Sequence, residues 1–150
     1  MKNQGHHSRQ ERHVVRQNVK NWHILIVDDK FDNLDLAKTA LEFHGATVRT
    51  ATNGLEGLEA LKTFEANLIL LDLAMPVMTG WEMFEAMQEK PELAAIPVIA
   101  LTAHAMAGDK ERVLEAGFTG YISKPFSVST LADEIQAILD NDDTQESAEI

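Results

Sequence analysis

The chain of 150 residues contains no cysteine, which excludes a disulfide framework and any chemistry that needs a thiolate. Long apolar runs are also missing, because none of the apolar stretches approaches the roughly 20 residues that a membrane-spanning helix needs. The N-terminus is basic and polar and lacks the apolar region of a secretory signal. The length predicts a single domain. We therefore expect a soluble protein of the cytoplasm that does not insert into a membrane.

Positive charge is scarce over most of the chain and concentrated at its start. Residues 1–20 hold five Lys or Arg and one Glu, a charge of +4. The other eight basic and 23 acidic residues give residues 21–150 a charge of −15. A body this acidic is a poor partner for nucleic acid. The basic N-terminal arm lacks interleaved aromatic residues and is predicted to be a disordered, solvated extension, with contact to nucleic acid, anionic lipid or an acidic partner as the alternative.

Short apolar runs alternate with segments of helical periodicity five times along the chain. The apolar runs lie at residues 22–27, 46–51, 67–71, 96–101 and 118–123. Their near-continuous Ile, Leu and Val predict strands that are buried on both faces, hence a parallel sheet covered by helices. Five such units predict a flavodoxin-like (βα)5 fold of the α/β class, doubly wound, with strand order 2-1-3-4-5. We assign residues 21–140 to this domain and residues 141–150 to an acidic, disordered tail.

Polar residues follow the carboxyl ends of the predicted strands, the edge at which ligands bind in such sheets. They are Asp28 and Asp29 after the first strand, Asp72 at the end of the third, Thr102 at the end of the fourth and Lys124 after the fifth. A single strand-end Asp is more often a helix cap, and a single Lys is usually solvated. The predicted fold, however, brings three carboxylates, one hydroxyl and one ammonium to the same edge. Their convergence predicts a functional site.

The three carboxylates of this site would repel one another, and a divalent cation would relieve the repulsion. The acids contribute a charge of −3 and Lys124 contributes +1, so an ion of charge +2 brings the sum to zero. Oxygen ligands favour Mg²⁺ or Ca²⁺ over zinc, and a few protein ligands completed by water are typical of Mg²⁺. Because Mg²⁺ usually works with phosphate oxygens, the site predicts phosphoryl transfer with Asp72 as the nucleophile. Lys124 and the Thr102 hydroxyl would then hold the new phosphoryl oxygens.

Four segments at the ends of predicted strands contain these polar residues. They are VDD at 27–29, LLDLAMPVMTG at 70–80, ALTAHA at 100–105 and YISKPF at 121–126. Together they closely resemble the receiver domain of two-component response regulators, and the resemblance covers about residues 21–140. It implies a stand-alone signalling switch that accepts a phosphoryl group from phosphohistidine on a sensor histidine kinase or a histidine phosphotransfer protein.

The resemblance also implies a role for each residue that binds the metal ion or the phosphoryl group. Asp72 resembles the phosphoacceptor, which also contacts the metal. Asp29 is similar to the direct Mg²⁺ ligand, and Asp28 to the acid that acts mainly through a bound water. The backbone carbonyl of Ala74 is implied as a further ligand, and Lys124 matches the lysine that pairs with the phosphoryl group. In such a site, Mn²⁺ or Ca²⁺ could substitute for Mg²⁺.

Other positions of the resemblance concern the switch. Thr102 is similar to the hydroxyl that moves toward the phosphoryl group, and Tyr121 stands where the family has its switch aromatic. The bond before Pro125 is implied to be cis. Thr79 departs from the family, which often has Asp there, but this side chain is not needed for the chemistry. His104 occupies a position that tunes phosphoryl lifetime and is a weaker candidate for a metal ligand.

The implied output surface comprises the fourth helix, the fifth strand and the fifth helix, which a downstream protein would recognise. Because no output domain follows in this sequence, we expect signalling by protein–protein contact or phosphate relay, by a monomer or a dimer that phosphorylation induces. Such a protein is not a conventional enzyme, although it catalyses its own phosphorylation and dephosphorylation on Asp72.

Competing interpretations come from other classes of protein. One is a receiver-shaped scaffold that binds partners without phosphorylation, although the complete set of site residues argues against it. A second is an aspartate-nucleophile phosphatase of the haloacid dehalogenase type. Such an enzyme needs a second Asp two residues after the nucleophile, and Ala74 at that position argues against it. A Rossmann enzyme needs a Gly-x-Gly-x-x-Gly segment after the first strand, which the sequence lacks. A role in nucleic-acid binding through residues 1–20 is a weaker possibility.

Overall fold

A parallel sheet forms the centre of the molecule. The computed structural model describes residues 19–103 and 107–149. Within them, five strands are hydrogen-bonded in the order β2-β1-β3-β4-β5, all in parallel. The strands are β1 (His23–Val27), β2 (Thr47–Ala51), β3 (Leu68–Asp72), β4 (Val98–Thr102) and β5 (Gly120–Ser123). The predicted fold class and strand order are both confirmed.

Helices cover both faces of the sheet. In the described part of the chain they are α1 (Phe31–Phe43), α2 (Gly54–Ala60), α3 (Gly80–Gln88), α4 (Ala107–Ala116) and α5 (Leu131–Glu149). Apolar residues of α1 and α5 pack against one face, and those of α2, α3 and α4 pack against the other. A 3-10 turn, Val19–Asn21, precedes β1, and a single helical turn, Pro91–Ala94, lies between α3 and β4. None of the described helices is both long enough and apolar enough to cross a membrane.

The core consists of two apolar layers because successive strand residues point to opposite faces. In β1, Ile24 and Ile26 enter the layer under α1 and α5, whereas Leu25 and Val27 enter the layer under α2, α3 and α4. All five residues of β3 are buried, and the last of them is Asp72. Each fully buried Leu or Ile contributes about 1.5–3 kcal/mol through removal from water. Asp72 therefore ends the central strand of the sheet, which is buried along its whole length.

The helix boundaries follow from local chemistry. Helix α3 begins with a capping box, in which the Thr79 hydroxyl accepts from the Glu82 amide and the Glu82 carboxylate accepts from the Thr79 amide. Helices α1 and α4 end just before Gly45 and Gly117, which both have positive φ, a backbone conformation that glycine adopts readily at helix ends. Helix α5 differs from the expectation, since its backbone stays helical to Glu149 and so includes most of the segment assigned to the tail.

Candidate functional site

The site lies at the carboxyl edge of the sheet, where the loops after β1, β3 and β5 meet. Asp28 and Asp29 follow β1 directly, and Asp72 is the last residue of the neighbouring strand β3. Each of these three side chains offers a carboxylate oxygen within 4.8 Å of the others. Asp28 is fully buried and Asp72 is 3% exposed, whereas Asp29 is partly open to solvent. The sequence prediction that these acids cluster at one edge therefore matches the geometry.

Lys124 brings the opposite charge to this cluster. Its Nζ atom lies 2.9 Å from Asp28 Oδ2 and 3.3 Å from Asp72 Oδ2, and its side chain is 15% exposed. The backbone positions it, because the Lys124 amide donates to the Thr102 carbonyl at 2.8 Å. The peptide bond from Lys124 to Pro125 is cis, as the resemblance implies. The Lys124 ammonium thus bridges two buried carboxylates, whereas the third carboxylate, that of Asp29, is not paired with Lys124.

Two further groups hold Asp28 from the start of α1. The Lys30 amide donates to Asp28 Oδ1 at 2.9 Å, and Asn33 Nδ2 donates to Asp28 Oδ2 at 3.3 Å. The sequence prediction did not include either group. The available signal was their position two and five residues after Asp28, at the N-terminus of a helix that follows the strand. These bonds give Asp28 a fixed orientation before any ligand binds.

Asp72 lies in an environment that disfavours its ionised form. Its pKa is raised to about 6, first by burial and second by the neighbouring Asp28 carboxylate. Lys124 and the Ala74 amide, which donates to Asp72 Oδ1 at 3.3 Å, act to lower this pKa. The balance shows that one ammonium does not compensate for the negative charge around Asp72. A group that brings more positive charge would stabilise its ionised form.

The donor set fits a hard divalent cation. It consists of carboxylate oxygens with a charge of −3, against the +1 of Lys124. No thiolate ligand is available in a chain without cysteine. Asp29 is partly exposed, so the cluster is open to solvent on the side of this residue. Oxygen ligands of this kind favour Mg²⁺ and similar ions over zinc.

The loop that follows Asp72 packs on the backbone of Asp72 itself. The Gly80 amide donates to the Leu73 carbonyl at 3.1 Å. A Cβ atom at position 80 would overlap the Asp72 carbonyl oxygen and would lie 2.8 Å from the Leu73 Cα atom. Gly80 was part of the sequence segment that carries the resemblance, but no role was predicted for it. Its lack of a side chain allows α3 to start directly against the end of β3.

The predicted switch residues lie on the strands beside the acids. Thr102 ends β4, half-buried, and is in register with Ser123 at the end of β5. Tyr121 is also half-buried and is in register with Ala100. The Lys110 ammonium of α4 lies 5.3 Å from the centroid of the Tyr121 ring. His104, proposed from sequence as a tuning residue, and the arm of residues 1–18 lie outside the described residues.

Comparisons with known proteins agree with this geometry. Residues 24–136 match the family model of the response regulator receiver domain. The polar-differentiation response regulator DivK of Brucella anthropi is 40% identical over 117 residues, which cover 77% of this chain and 94% of that protein. The chemotaxis response regulator CheY4 of Vibrio cholerae has a similar structure, with a TM-score of 0.73 at 30% identity over 78% of this chain and 98% of that one.

A second solved structure is similar to this chain and contains a metal ion. It is the receiver domain of the sensor histidine kinase PA1611 from Pseudomonas aeruginosa PAO1, described with a magnesium ion coordinated in the active site cleft. Its TM-score is 0.70 at 28% identity, over 79% of this chain and 98% of that one. The fold and the family-model match therefore concern the same part of the chain as the acidic site.

Proposed function

Because this chain belongs to the response regulator receiver family, we propose that it is a phosphorylation-dependent switch that accepts its phosphoryl group on Asp72. One observation carries the proposal. The carboxylate of Asp72 is almost completely buried, yet it lies within 4.8 Å of two other acids and 3.3 Å from a lysine ammonium. A structural ion pair would need one acid for one base. The excess of acids suits a site that first binds a cation, Mg²⁺, and then accepts an anionic phosphoryl group.

In the proposed reaction, a phosphohistidine of a sensor histidine kinase or a histidine phosphotransfer protein is the donor. An Asp72 carboxylate oxygen attacks the phosphorus in line, a new O–P bond forms, and the P–N bond breaks so that the imidazole leaves. Asp28, Asp29, Asp72 and the Ala74 carbonyl are the proposed ligands of Mg²⁺, which Mn²⁺ or Ca²⁺ could replace. When bound, the ion neutralises negative charge on the phosphoryl oxygens.

The other residues of the site act on the phosphorylated form. Lys124, which contacts Asp72 before the reaction, remains close enough to pair with a phosphoryl oxygen. Thr102 moves toward the phosphoryl group and donates its hydroxyl hydrogen. Tyr121 then turns into the space that Thr102 leaves. The phosphoryl group stabilises one of two packing arrangements, so phosphorylation shifts the population toward that arrangement.

We place the output of the switch on the surface formed by α4, β5 and α5, where Tyr121 lies. A downstream protein would bind this surface preferentially in the phosphorylated form, and a second copy of the chain is the other partner we consider. Members of this family are not conventional enzymes. The chemistry proposed for this chain is limited to the phosphorylation and dephosphorylation of its own Asp72, and we place it in the cytoplasm, the compartment predicted from the sequence.

Incubation of the purified protein with acetyl phosphate or phosphoramidate and Mg²⁺, followed by intact mass spectrometry, tests the proposal. We expect one added phosphoryl group that hydroxylamine removes, as an acyl phosphate requires. Asp72→Asn abolishes it. Asp32→Asn is the matched control, because Asp32 is an exposed acid at the start of α1 and its loss leaves the labelling unchanged. A wild-type mass that does not change with these donors or with histidine kinases would favour the scaffold interpretation.

A further inference from the structure

The loop between β3 and α3, residues 73–79, contains a strained turn close to the proposed metal ligands. The Met78 amide donates to the Pro76 carbonyl at 2.9 Å, and Val77 between them has a φ of +73°. A three-residue turn with positive φ at its centre is rare and strained, and a β-branched residue makes the strain greater. Such a conformation persists only when the surrounding structure holds it.

Contacts at both sides of this turn hold it in place. On the α3 side, the capping box of Thr79 and Glu82 and the bond from the Gly80 amide to the Leu73 carbonyl close the loop on itself. On the other side, the Gly54 amide donates to the Met78 carbonyl at 3.3 Å. Gly54 is the first residue of helix α2, which follows the strand β2. No residue of this segment is among the proposed ligands of the metal ion. Its bond to Met78 is the link from α2 to the strained loop.

The contact at Gly54 tolerates no side chain. An added Cβ atom would lie 2.8 Å from Met78 Cγ and 3.0 Å from the Met78 carbonyl oxygen. Both distances are below the normal separation of atoms that are not bonded, so the loop would have to move away. The carbonyl oxygen belongs to the backbone and cannot be displaced by a change of rotamer. A substitution at position 54 would therefore weaken the same hydrogen bond that holds the turn.

We propose that Gly54 is a positioning residue for the metal site, acting through Met78 on the backbone of the β3–α3 loop. The loop runs from Asp72 through Ala74 to the turn at Val77 without interruption. A loop released at Met78 relaxes its strained turn, and this relaxation displaces the carbonyl of Ala74. The inference rests on the proposed function, because it concerns the affinity of the site for Mg²⁺.

Helix α2 contains a matched control for this test. Gly57 is buried on the same helix, and an added Cβ atom would lie 2.9 Å from the Cε and Sδ atoms at the flexible end of Met83 and 3.2 Å from Cγ2 of Val27, neither of which belongs to the β3–α3 loop. Both Gly54→Ala and Gly57→Ala add one methyl group to α2, but only the first one touches the loop. Calorimetric titration of each protein with Mg²⁺ gives the dissociation constants. We expect about 10-fold weaker binding in Gly54→Ala and wild-type binding in Gly57→Ala.

Two more measurements separate positioning from general loss of structure. Met78→Ala in the Gly54→Ala background removes the nearest clashing atom and is expected to restore part of the Mg²⁺ affinity. In the wild type, saturation with Mg²⁺ should slow hydrogen exchange at the Gly54 amide. Mg²⁺ binding and the hydrogen bond from Gly54 to Met78 favour the same loop conformation, so each must strengthen the other. This second measurement needs no substitution and decides the question if Gly54→Ala does not fold.

The outcomes of these experiments are distinct. A wild-type protein that does not bind Mg²⁺ contradicts the proposed function, and the positioning role falls with it. Wild-type binding together with unchanged affinity in Gly54→Ala, or an equal loss in Gly57→Ala, overturns the positioning role and leaves the proposed function standing. Exchange at the Gly54 amide that does not respond to Mg²⁺ also overturns it.

Discussion

At the scale of single residues, the main feature is the conflict between burial and charge at Asp72. The residue ends a fully buried strand, where water cannot stabilise an ionised carboxylate. Asp28 adds a second buried negative charge, and Lys124 compensates for only part of the total. The protein therefore keeps an acid that costs stability when it is ionised. A loss of stability of this kind is expected at a functional site, where a bound ligand supplies the positive charge that the fold lacks.

The raised pKa of Asp72 predicts how stability depends on pH. The folded pKa is about 6 and the reference value is 3.8, so between these values the folded state keeps a proton that the unfolded chain releases. The stabilising contribution of the protonated group is complete below about pH 4 and is lost as the pH rises through the folded pKa.

In the metal-free protein, Asp72→Asn should increase the free energy of unfolding at pH 7.5 by about 1–3 kcal/mol. The gain should shrink as the pH falls toward 5, where the wild-type carboxyl group is itself protonated. Urea unfolding at both pH values measures it. A gain of the same size at pH 5 would show that ionisation of Asp72 is not the cause. Added Mg²⁺ should stabilise the wild type and leave Asp72→Asn unchanged.

Lys124 offers a second test at this scale. Lys124→Met keeps the length of the side chain but leaves Asp28 and Asp72 without their ammonium, and unpaired buried charge is strongly destabilising. We expect the metal-free variant to lose about 3 kcal/mol of unfolding free energy, part of which Mg²⁺ restores. Lys30→Met is the control, because the Lys30 ammonium is 3.9 Å from Asp29 and its side chain is 71% exposed. An equal loss in both variants would contradict this account.

At the scale of elements, a contact between Lys110 and Tyr121 links α4 to the proposed switch. The Lys110 ammonium lies 5.3 Å from the centre of the Tyr121 ring, within the range of a cation–π interaction. Arg112 of the same helix makes a similar contact, at 4.8 Å, with Trp81 of α3. The first contact holds Tyr121 against α4 in the unphosphorylated protein. In the proposed switch, this contact would therefore oppose the inward turn of the ring.

Lys110→Met removes this contact and should shift Tyr121 toward its inward position. A cation–π pair at a partly exposed site contributes about 0.5–1 kcal/mol, which corresponds to a roughly 2- to 5-fold change in the population ratio. The ring signals of Tyr121 in NMR spectra of the unphosphorylated protein report the shift. Arg112→Met, which leaves Tyr121 untouched, should not move them. Unchanged signals in Lys110→Met would contradict the idea that the contact with α4 controls the position of Tyr121.

At the scale of the whole molecule, the parallel sheet explains why the site residues are so far apart in sequence. Asp29, Asp72 and Lys124 meet because each follows the carboxyl end of a strand, and parallel strands end at one edge. Two apolar layers fix these strands from both sides. Among the residues that the structure describes, the cluster draws its acids from the ends of two neighbouring strands, β1 and β3.

We propose, as the sequence predicts, that residues 21–140 fold and bind Mg²⁺ without the flanking segments. This range retains the buried residues Leu131, Ile135 and Leu139 of helix α5. A chain truncated to 21–140 should therefore keep the Mg²⁺ affinity of the full chain within about twofold, since it retains all the proposed Mg²⁺ ligands and Lys124. Calorimetry on both proteins measures this. A truncated chain that unfolds or binds Mg²⁺ weakly would extend the domain beyond these boundaries.

Most of the fold follows from patterns that can be read directly in the sequence. The strands were predictable because Ile, Leu and Val run nearly without interruption between turn residues, and five β–α repeats favour one strand order. The beginning of α1 was less predictable, since its first residue, Phe31, is exposed and carries no apolar periodicity. The helical turn at Pro91–Ala94 has no buried residue and so gives no signal.

The sequence by itself determined the class of the protein, because the acids, the hydroxyl and the lysine stand at strand ends whose order the repeats predict. The tertiary structure alone decided which partners these groups have: the bridge of Lys124 between two acids, the bonds from Lys30 and Asn33 to Asp28, and the contact of Gly54 with Met78. Such contacts join segments whose separation in space depends on how helices and loops pack. Periodicity reports which face of an element is buried, but it does not report the distances between two elements.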